Sequence, residues 1–239
     1  MNADRQLVEI VVPVYAEVAT LAVSVEVLLA YLREEFPFGY RIVIADSAGV
    51  DGTSAVAASL AARHEEVTLL GLGRKGRGVA LRTAWLASDA DVVSTIDVDL
   101  STQLESFLPL VAPVLSGHSE LAVGTRLAHD AGIGRRLGRD LVYNGLIRAA
   151  FRVGFSDPRC GFKAIRADVA RRLLPFVEDD GSFFDTELLL LAERNGLRIH
   201  EVPVDRSEDL DSRVELLSVI AADLSGLWRM RTFWRGRRQ

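Results

Sequence analysis

Short runs of β-branched residues alternate with longer Ala- and Leu-rich segments through the first hundred residues, and this alternation restricts the fold more than any other feature. The runs are typical of buried strands, and the segments between them are long enough for the crossover helices that parallel strands require. The strands are predicted at Leu7 to Val14, Arg41 to Ala45, Val67 to Gly71 and Asp91 to Ile96. The helices are predicted at Thr20 to Glu35, Thr53 to His64 and Gly78 to Ser88, with Asp51 or Thr53 as N-cap of the second. The pattern predicts an α/β fold with a mostly parallel central sheet flanked by helices.

The alternation changes after Asp99, where Gly- and Arg-rich sequence interrupts the periodic segments. Further helices are predicted at Leu104 to Leu115, Tyr143 to Phe151 and Phe184 to Asn195, and further strands at Leu121 to Gly124 and Ile199 to Val204. The stretch Thr125 to Arg139 is predicted to be a loop. Because no repeat or Pro/Ser-rich linker divides the sequence, residues 1–211 are predicted to form one Rossmann-like domain, with residues 212–239 packed on it or extending from it.

The composition of the 239 residues is that of a globular protein with a sizeable core, since 49% are hydrophobic. The formal net charge of −5 argues against nucleic acid as a partner. Cys160 is the only cysteine, which excludes an internal disulfide and a cysteine-based zinc cluster and favours the cytoplasm. The N-terminal sequence does not resemble a signal peptide, and no run of about 18 uncharged apolar residues occurs. Any membrane contact is therefore expected to be peripheral, at the inner face of the plasma membrane.

The C-terminal segment combines an apolar helix face with a basic, aromatic tail. The apolar residues whose spacing places them on one face are Leu217, Ile220, Ala221, Leu224, Leu227 and Trp228. The sequence RMRTFWRGRRQ that follows interleaves arginines with Phe233 and Trp234. One interpretation is a helix that packs on the core and ends in a solvated tail. The other is a segment that binds an anionic membrane surface or a membrane-anchored partner.

Asp97 and Asp99, in the stretch STIDVDLSTQ, follow the fourth predicted strand. Ligands of open α/β sheets bind beyond the carboxyl ends of strands. In an extended segment alternate residues point the same way, so the two carboxylates are expected to converge while Val98 faces the core. Close carboxylates repel unless a cation separates them, and Mg²⁺ or Mn²⁺ accepts one or two carboxylates together with phosphate oxygens. The alternative is a solvated pair that caps the next helix with Ser101 or Thr102.

Polar residues also follow the first two strands. VPVYAE contains Pro13, Tyr15 and Glu17, and ADSAGVDGT contains Asp46 and Asp51. These strand ends are expected to lie side by side at one edge of the sheet, where carboxylates accept hydrogen bonds from the N–H and hydroxyl groups of a base or ribose. Asp51 alone is equally suited to a simple N-cap.

The third strand leads into GLGRKGRG, whose glycines formally satisfy GxGxxG, and Asp97 lies about 20 residues further on, as in a dinucleotide site. Two observations oppose that interpretation. The fingerprint normally occupies the first βα turn, and ribose binding gives Asp99 no role. Lys75, one of only two lysines in the chain, lies in this loop and suits a diphosphate. A nucleotide diphosphate is therefore favoured over a nicotinamide or flavin cofactor.

Taken together, the motifs and their order resemble family 2 glycosyltransferases of GT-A fold, most of all the branch of dolichyl-phosphate mannose and glucose synthases. The motifs are VPVYAE, ADSAGVDGT, GRKGRGVALRTAW, DVDL, GTR, CGFKAIR and FFDTELLLLAERNGLRIHEVPV. The similarity extends from about Val8 to Arg213, and it rests on the set of ordered motifs.

The resemblance implies roles for individual positions. Donor binding is implied for Pro13, Tyr15, Glu17, Asp46, Lys75 and Asp97. Metal binding is implied for Asp97 and Asp99, which match the DxD motif. Contacts with the diphosphate or with an acceptor phosphate are implied for Arg126, Arg136, Lys163 and Arg213. Catalytic involvement is implied for Asp99, and also for Asp185 and Glu187, because an acid in this region can be the base in relatives with hydroxyl acceptors.

The chain departs from the family pattern at four positions. The family usually has Asn after the tyrosine and a second acid two places later, where this chain has Ala16 and Val18. Ser101 replaces a Gln that can help to hold the metal, and Asp140 replaces a Ser close to the proposed acceptor phosphate. These departures bear on donor choice and efficiency, whereas both metal aspartates are retained.

The function that the resemblance implies is transfer of mannose or glucose from GDP-mannose or UDP-glucose to a polyprenyl phosphate, with inversion and with Mg²⁺ or Mn²⁺ as cofactor. The acceptor phosphate is an anion near neutral pH, so it needs positioning by arginines more than it needs a base. Two other functions stay open. One is transfer to a sugar or small-molecule hydroxyl, which would make Asp185 or Glu187 essential, and the other is non-catalytic binding of a nucleotide sugar.

Overall fold

The computed structural model of the chain describes residues 6–126, 144–145, 147–205 and 226–231. Predictions for the loop Thr125 to Arg139 beyond residue 126, for Arg136, Asp140 and Arg213, and for most of the C-terminal helix lie outside the described residues.

A seven-stranded sheet forms the centre of the molecule. The strands are β1 (Leu7–Val14), β2 (Gly39–Asp46), β3 (Val67–Gly71), β4 (Val92–Thr95), β5 (Leu121–Arg126), β6 (Lys163–Arg166) and β7 (Ile199–Val204). Their order is β3-β2-β1-β4-β6-β5-β7, and only β6 runs antiparallel to its neighbours. The predicted α/β fold with a mostly parallel sheet is therefore confirmed.

Helices cover the two faces of the sheet. The described helices with full bounds are α1 (Leu21–Glu35), α2 (Thr53–Arg63), α3 (Arg77–Ala87), α4 (Phe107–Leu115), α5 (Ala167–Leu173) and α6 (Phe184–Arg194). Short 3₁₀ turns occupy Leu104–Ser106 and Leu174–Phe176, and residues 147–151 and 226–231 are also helical. The central strands are buried on both faces, as the near-continuous burial of β1 shows.

The predicted bounds agree with the structure for β1, β3 and β7, and within two residues for the other predicted strands and for α1, α2, α3 and α6. Three predictions were wrong in detail, and one strand and one helix were missed. Thr125 and Arg126, predicted to begin a loop, are the last two residues of β5. The predicted helix from Leu104 begins as a 3₁₀ turn, and its α-helical part starts at Phe107. The N-cap of α2 is Gly52, at a φ of +99°, and not Asp51 or Thr53. Strand β6 and helix α5 were not predicted, because β6 is only four residues long and begins with a lysine.

The antiparallel direction of β6 matters for function. Because β6 pairs antiparallel with β4, its first residue, Lys163, lies opposite Thr95 at the carboxyl end of β4. The same edge of the sheet carries the ends of β1 at Val14 and of β2 at Asp46, which pair with each other. Lys163 therefore joins the polar residues that follow the parallel strands.

Candidate active site

The loop after β2 is held to the loop after β1 by a chain of hydrogen bonds. The Asp51 carboxylate accepts from Val18 N at 3.1 Å and from Thr53 Oγ1 at 2.6 Å, and Thr53 Oγ1 accepts from Glu17 N at 2.8 Å. The hydrogen bonds from Thr53 lower the pKa of Asp51. Asp51 therefore joins the loops after β1 and β2, whereas the sequence had left open that it was a simple N-cap.

Asp46 is almost fully buried at the end of β2. Its Oδ1 accepts a hydrogen bond from Gly49 N at 3.2 Å, and its Oδ2 accepts one from the Ser54 hydroxyl. These contacts fix the direction of the carboxylate, because one oxygen is bonded to the loop that leads into α2 and the other to Ser54 in the first turn of α2.

Tyr15, Glu17 and Lys75 lie around the same corner. The Lys75 ammonium lies 3.9 Å from the centroid of the Tyr15 ring, a cation–π contact that joins the β1 loop to the loop after β3. Tyr15 is 42% exposed, so one part of its ring faces solvent. The Glu17 carboxylate accepts a hydrogen bond from Thr20 Oγ1 at 3.0 Å. The structure therefore brings the predicted donor-binding residues of β1, β2 and the glycine-rich loop to one edge.

The end of the glycine-rich loop that leads into α3, at Gly76 and Gly78, packs against backbone. Gly78 N donates to the Asp180 carbonyl at 3.0 Å, and Val79 N donates to it at 3.4 Å. A Cβ at Gly76 would clash with the Asp180 carbonyl oxygen, and a Cβ at Gly78 would come 2.5 Å from the Asp179 carbonyl oxygen. Since the amides of Gly78 and Val79 in the first turn of α3 already have this partner, they are not available to a pyrophosphate, which argues against the dinucleotide alternative.

The DVDL segment is a turn, so the expectation that Asp97 and Asp99 lie in an extended segment was wrong. Strand β4 ends at Thr95, and Leu100 N donates to the Asp97 carbonyl at 3.1 Å, with Leu100 at a φ of +48°. Val98 is buried, as predicted, and Asp99 is exposed. The Asp99 Oδ1 accepts from Ser101 N at 3.0 Å, which fixes the carboxylate beside the turn.

The donor set of this turn fits a hard divalent cation. Asp97 and Asp99 offer carboxylate oxygens, the ligand type that Mg²⁺ and Mn²⁺ prefer. The buried hydroxyl of Ser101 has no hydrogen-bond partner among the described residues. Its oxygen, two residues after Asp99, is therefore a further candidate ligand. No group of three His, Cys, Asp or Glu side chains suited to a metal occurs within the described part of the chain. A cation at this turn would therefore take further ligands from a substrate phosphate or from water.

Arg77, the first residue of α3, links the turn to the opposite half of the site. Its Nη1 donates to Asp97 Oδ1 at 2.7 Å, its Nε to Asp185 Oδ2 at 2.9 Å, and its Nη2 to the Gly161 carbonyl at 3.1 Å. Burial opposes the charge of Arg77, but the nearby carboxylates Asp97 and Asp185 outweigh this effect and raise its pKa. The guanidinium is thus a fixed positive charge between two carboxylates of the site.

Lys163 and Asp185 form the base of the site. Lys163 is fully buried, and its Nζ lies 3.1 Å from Asp185 Oδ1 and donates to the Cys160 carbonyl. Asp185, in the first turn of α6, is also buried and therefore bridges Lys163 and Arg77. Two of the residues predicted from the FFDTELL and CGFKAIR motifs are thus in direct contact.

Glu187 lies two residues further along the first turn of α6 and has a different set of partners. Its Oε2 accepts from Asp179 N at 2.8 Å, from Glu178 N at 3.1 Å and from Arg229 Nη2 at 2.9 Å. Burial raises the pKa of Glu187, and these hydrogen bonds oppose the rise. The contacts of Glu187 secure the loop before α6, and its predicted catalytic involvement stays a prediction.

The predicted acceptor-side arginines are described only in part. Arg126 is the last residue of β5 and pairs in register with Val204 of β7. The neighbouring Glu201 carboxylate accepts from Thr125 Oγ1 at 3.1 Å and from Ser156 Oγ at 2.9 Å, which ties β5 and β7 to the loop that contains Cys160. Arg136 and Arg213 lie outside the described residues.

Arg77 is the residue that the sequence analysis missed. It lies within the quoted motif GRKGRGVALRTAW, yet the predicted basic residue of that motif was Lys75. No local pattern in the sequence marked Arg77, because the burial of the acids that it pairs with is itself set by packing. The identity of the partners, Asp97 and Asp185, depends on the packing of α3 against residues far away in sequence.

The described part of the C-terminal helix shows which of its faces is buried. Met230 is 2% exposed and Leu227 packs against the core, whereas Trp228 is 72% exposed. The prediction that placed Trp228 on the packed apolar face was therefore wrong, because Met230 takes that position. Among the described residues, no helix is both long and apolar enough to cross a membrane.

Comparison with known proteins identifies the family. The model of glycosyl transferase family 2 matches residues 9–174. The chain belongs to glycosyl transferase family 2. It is a glycosyltransferase, and the resemblance inferred from the ordered motifs is confirmed.

Two groups of relatives are similar over most of the chain. The glycosyltransferase AglD of Haloferax volcanii is 34% identical over 95% of this chain, which spans 37% of the length of AglD. The dolichyl-phosphate beta-glucosyltransferase ALG5C of Trichomonas vaginalis is 28% identical over 92% of this chain and 73% of the relative. The Saccharomyces cerevisiae dolichyl-phosphate beta-glucosyltransferase is 23% identical over 89% of this chain and 70% of the relative.

Solved structures confirm the predicted GT-A fold. Glucosyl-3-phosphoglycerate synthase from Mycobacterium tuberculosis superposes with a TM-score of 0.70 and 22% identity, over 96% of this chain and 81% of that enzyme. The same enzyme in complex with Mn²⁺, uridine diphosphate and glucosyl-3-phosphoglycerate superposes with a TM-score of 0.67, again with 22% identity and the same coverage. At this identity the similarity establishes the fold.

Proposed function

We propose that this glycosyltransferase moves glucose from UDP-glucose to a polyprenyl phosphate, with inversion at the anomeric carbon and with Mg²⁺ or Mn²⁺ at Asp97 and Asp99. The observation that carries the proposal is the turn that holds both carboxylates and the buried Ser101 hydroxyl at the end of β4. Dolichyl-phosphate glucosyltransferases among the relatives support a polyprenyl phosphate acceptor and favour glucose over mannose. The glucosyl-3-phosphoglycerate synthase of the same fold, described with UDP-glucose and Mn²⁺, supports the donor and the cation.

The donor would lie along the edge formed by β1, β2 and the loop after β3. The fixed carboxylate of Asp46 and the carboxylate of Glu17 are acceptors for the N–H and hydroxyl groups of uridine, and the partly exposed ring of Tyr15 offers a stacking surface. Pro13 lies in β1 immediately before this edge. Lys75, held over Tyr15, is placed to contact the diphosphate.

Asp97 and Asp99 would hold the cation, with Ser101 beside them. When bound, a divalent cation supplies a Lewis acid that stabilises the charge developing on the leaving nucleotide diphosphate. The chain itself contributes a carboxylate fixed by Ser101 N and a second one fixed by Arg77. Both aspartates are therefore oriented before the donor arrives.

The acceptor phosphate attacks without a protein base. One of its oxygens forms a bond to the anomeric carbon while the bond from that carbon to the β-phosphate oxygen of UDP breaks. Asp185 is ion-paired to Lys163 and Arg77 in the described structure, so we assign it and Glu187 to positioning of cations and loops. Arg126, Arg136, Lys163 and Arg213 are assigned to the diphosphate and acceptor side, as the resemblance implies.

We further propose that residues 1–211 form the catalytic unit and that residues 212–239 pack on it and reach a membrane surface. The contact of Arg229 with Glu187 and the burial of Met230 support attachment of this segment. The exposed Trp228 and the basic, aromatic tail RMRTFWRGRRQ suit an anionic interface. We further propose that the protein is cytoplasmic and binds peripherally at the inner face of the plasma membrane.

The test is a transfer assay with a short polyprenyl phosphate. UDP-glucose and GDP-mannose are compared as donors, each with Mg²⁺, with Mn²⁺ and with EDTA. We expect glucosyl transfer from UDP-glucose, loss of the reaction in EDTA, and a product of inverted anomeric configuration by NMR. Transfer from GDP-mannose alone would refute the choice of glucose.

A pair of variants tests the metal assignment. Asp99→Asn should lower turnover by about a hundredfold or more, as loss of a group that stabilises the developing charge does. Asp89→Asn is the matched control, because Asp89 is a strongly exposed surface carboxylate paired with Arg41.

The alternative functions predict different outcomes of the transfer assay. Transfer to a sugar hydroxyl or to 3-phosphoglycerate instead of the lipid would refute the assignment of a polyprenyl phosphate acceptor. Donor binding without transfer to any acceptor would favour a non-catalytic protein.

A further inference from the structure

Arg77 binds the same carboxylate that a metal ion at this turn would bind. Its guanidinium lies 2.7 Å from Asp97 Oδ1, on a carboxylate that the proposed function assigns to the cation. A guanidinium is always charged and binds carboxylates through directed N–H bonds. In the absence of a ligand, Asp97 therefore already has a positive partner.

The guanidinium is held at three points, which makes it a fixed part of the site. Besides Asp97, it donates to Asp185 and to the Gly161 carbonyl, and only 23% of the side chain is exposed. Gly161 leaves no spare space around this contact, because a Cβ there would lie 2.6 Å from Arg77 Nη2 and 2.8 Å from both Asp97 carboxylate oxygens. A metal ion that approaches Asp97 consequently meets an arginine that cannot easily withdraw.

Charge explains the consequence for binding order. A divalent cation beside Asp97 adds two positive charges next to Arg77, and like charges at this distance repel strongly in a partly buried site. A nucleotide diphosphate brings negative charge to the same place and offsets the repulsion. Metal and nucleotide should therefore bind together more favourably than the metal binds alone.

We propose that Arg77 is a positioning residue that keeps the Asp97 turn free of divalent cation until the nucleotide diphosphate arrives, so that the enzyme takes up the cation with its donor. This inference rests on the proposed function, because it assumes that the cation binds at Asp97 and Asp99. It adds that the cation binds together with the donor and that Arg77 is the residue responsible for this order.

The experiment measures Mn²⁺ binding to the full chain by electron paramagnetic resonance, without nucleotide and with saturating UDP. The proteins are the wild type, Arg77→Gln, Arg77→Lys and Arg82→Gln. Arg82 is the matched control, because it is a second α3 arginine with an aspartate partner, Asp180, that is not part of the turn. In the wild type, Mn²⁺ should bind at least about tenfold more tightly with UDP than without it.

Arg77→Gln should bind Mn²⁺ without nucleotide at least about tenfold more tightly than the wild type. Arg77→Lys, which keeps the charge, should retain the weak binding, and Arg82→Gln should not alter it. A structural role for Arg77 alone would not tighten metal binding. If Arg77→Gln does not fold, Arg77→Met takes its place as the neutral variant, and equal Mn²⁺ affinity of the wild type with and without UDP still overturns the inference.

The outcomes separate the inference from the proposed function. Measurable Mn²⁺ binding that is the same in wild type and Arg77→Gln refutes the role of Arg77 and leaves the metal site intact. Absence of Mn²⁺ binding in every protein, even with UDP, refutes the metal site itself and with it the inference. Retention of weak binding by Arg77→Lys together with tightening by Arg77→Gln supports charge as the cause.

Discussion

Arg229 donates to Glu187 at 2.9 Å and thereby joins the C-terminal helical residues 226–231 to the first turn of α6. The same Glu187 oxygen accepts from Glu178 N and Asp179 N, and the next residue, Asp180, accepts from the first amides of α3. These hydrogen bonds, together with the peptide bond between Asp179 and Asp180, therefore connect the C-terminal segment to the helix that begins with Arg77.

Arg229→Gln should destabilise the protein, because it leaves the buried Glu187 carboxylate without its cation. We expect a loss of about 2–3 kcal/mol in the free energy of unfolding, below the 3–5 kcal/mol of a fully buried pair because Arg229 is partly exposed. Urea denaturation measures the loss. Arg198→Gln, which breaks the pair of the exposed Arg198 with Glu120, is the control and should cost less than Arg229→Gln. Equal effects of the two variants would contradict a buried tether.

The titration of Glu187 gives a second prediction. Burial raises its pKa, so the folded protein binds this proton more tightly than the unfolded chain does. Stability from this group is therefore present below the ordinary pKa of 4.5 and declines as the pH rises through the folded value. Glu187→Gln removes the titration. Urea denaturation at stepped pH should show the stability of Glu187→Gln improving relative to wild type as the pH rises above 4.5, and a difference independent of pH would refute this.

Local patterns predicted most of the fold, since β1 to β4 and the helices between them each carry their own periodicity and lie next to their neighbours in sequence. Strand β6 escaped prediction because it has four residues and pairs only through tertiary contacts. The site was predicted one residue at a time, and Asp97, Asp185 and Lys163 do lie together. The missing residue was Arg77, because pairing between charges distant in sequence is set by packing and leaves no local pattern.

The glycines of GLGRKGRG provide a prediction that separates their packing role from a dinucleotide fingerprint. A Cβ at Gly78 would lie 2.5 Å from the Asp179 carbonyl oxygen, whereas a Cβ at Gly73 would meet nothing within 4 Å. Gly78→Ala should therefore cost about 1–3 kcal/mol, as overpacking does, and weaken donor binding by displacing the start of α3. Gly73→Ala should leave both properties unchanged. Thermal unfolding and UDP-glucose titration measure them, and damage from Gly73→Ala would restore the fingerprint interpretation.

Ala16 is a position where a departure from the family pattern has a measurable cost. The residue has a φ of +57° in the loop after β1 and is exposed, and left-handed backbone costs an ordinary L-residue roughly 1–2 kcal/mol. Asn tolerates this conformation better than Ala, and Asn is the residue that the family usually has there. Ala16→Asn should therefore raise the free energy of unfolding by about 0.5–1 kcal/mol, a range below the full left-handed penalty. Ala58→Asn, at an exposed position within α2, should instead lower it by about 0.5 kcal/mol through reduced helix propensity. If both substitutions change the free energy of unfolding in the same direction, backbone strain at Ala16 is not the cause. Tighter binding of UDP-glucose by Ala16→Asn alone would show that the loop conformation also affects donor binding.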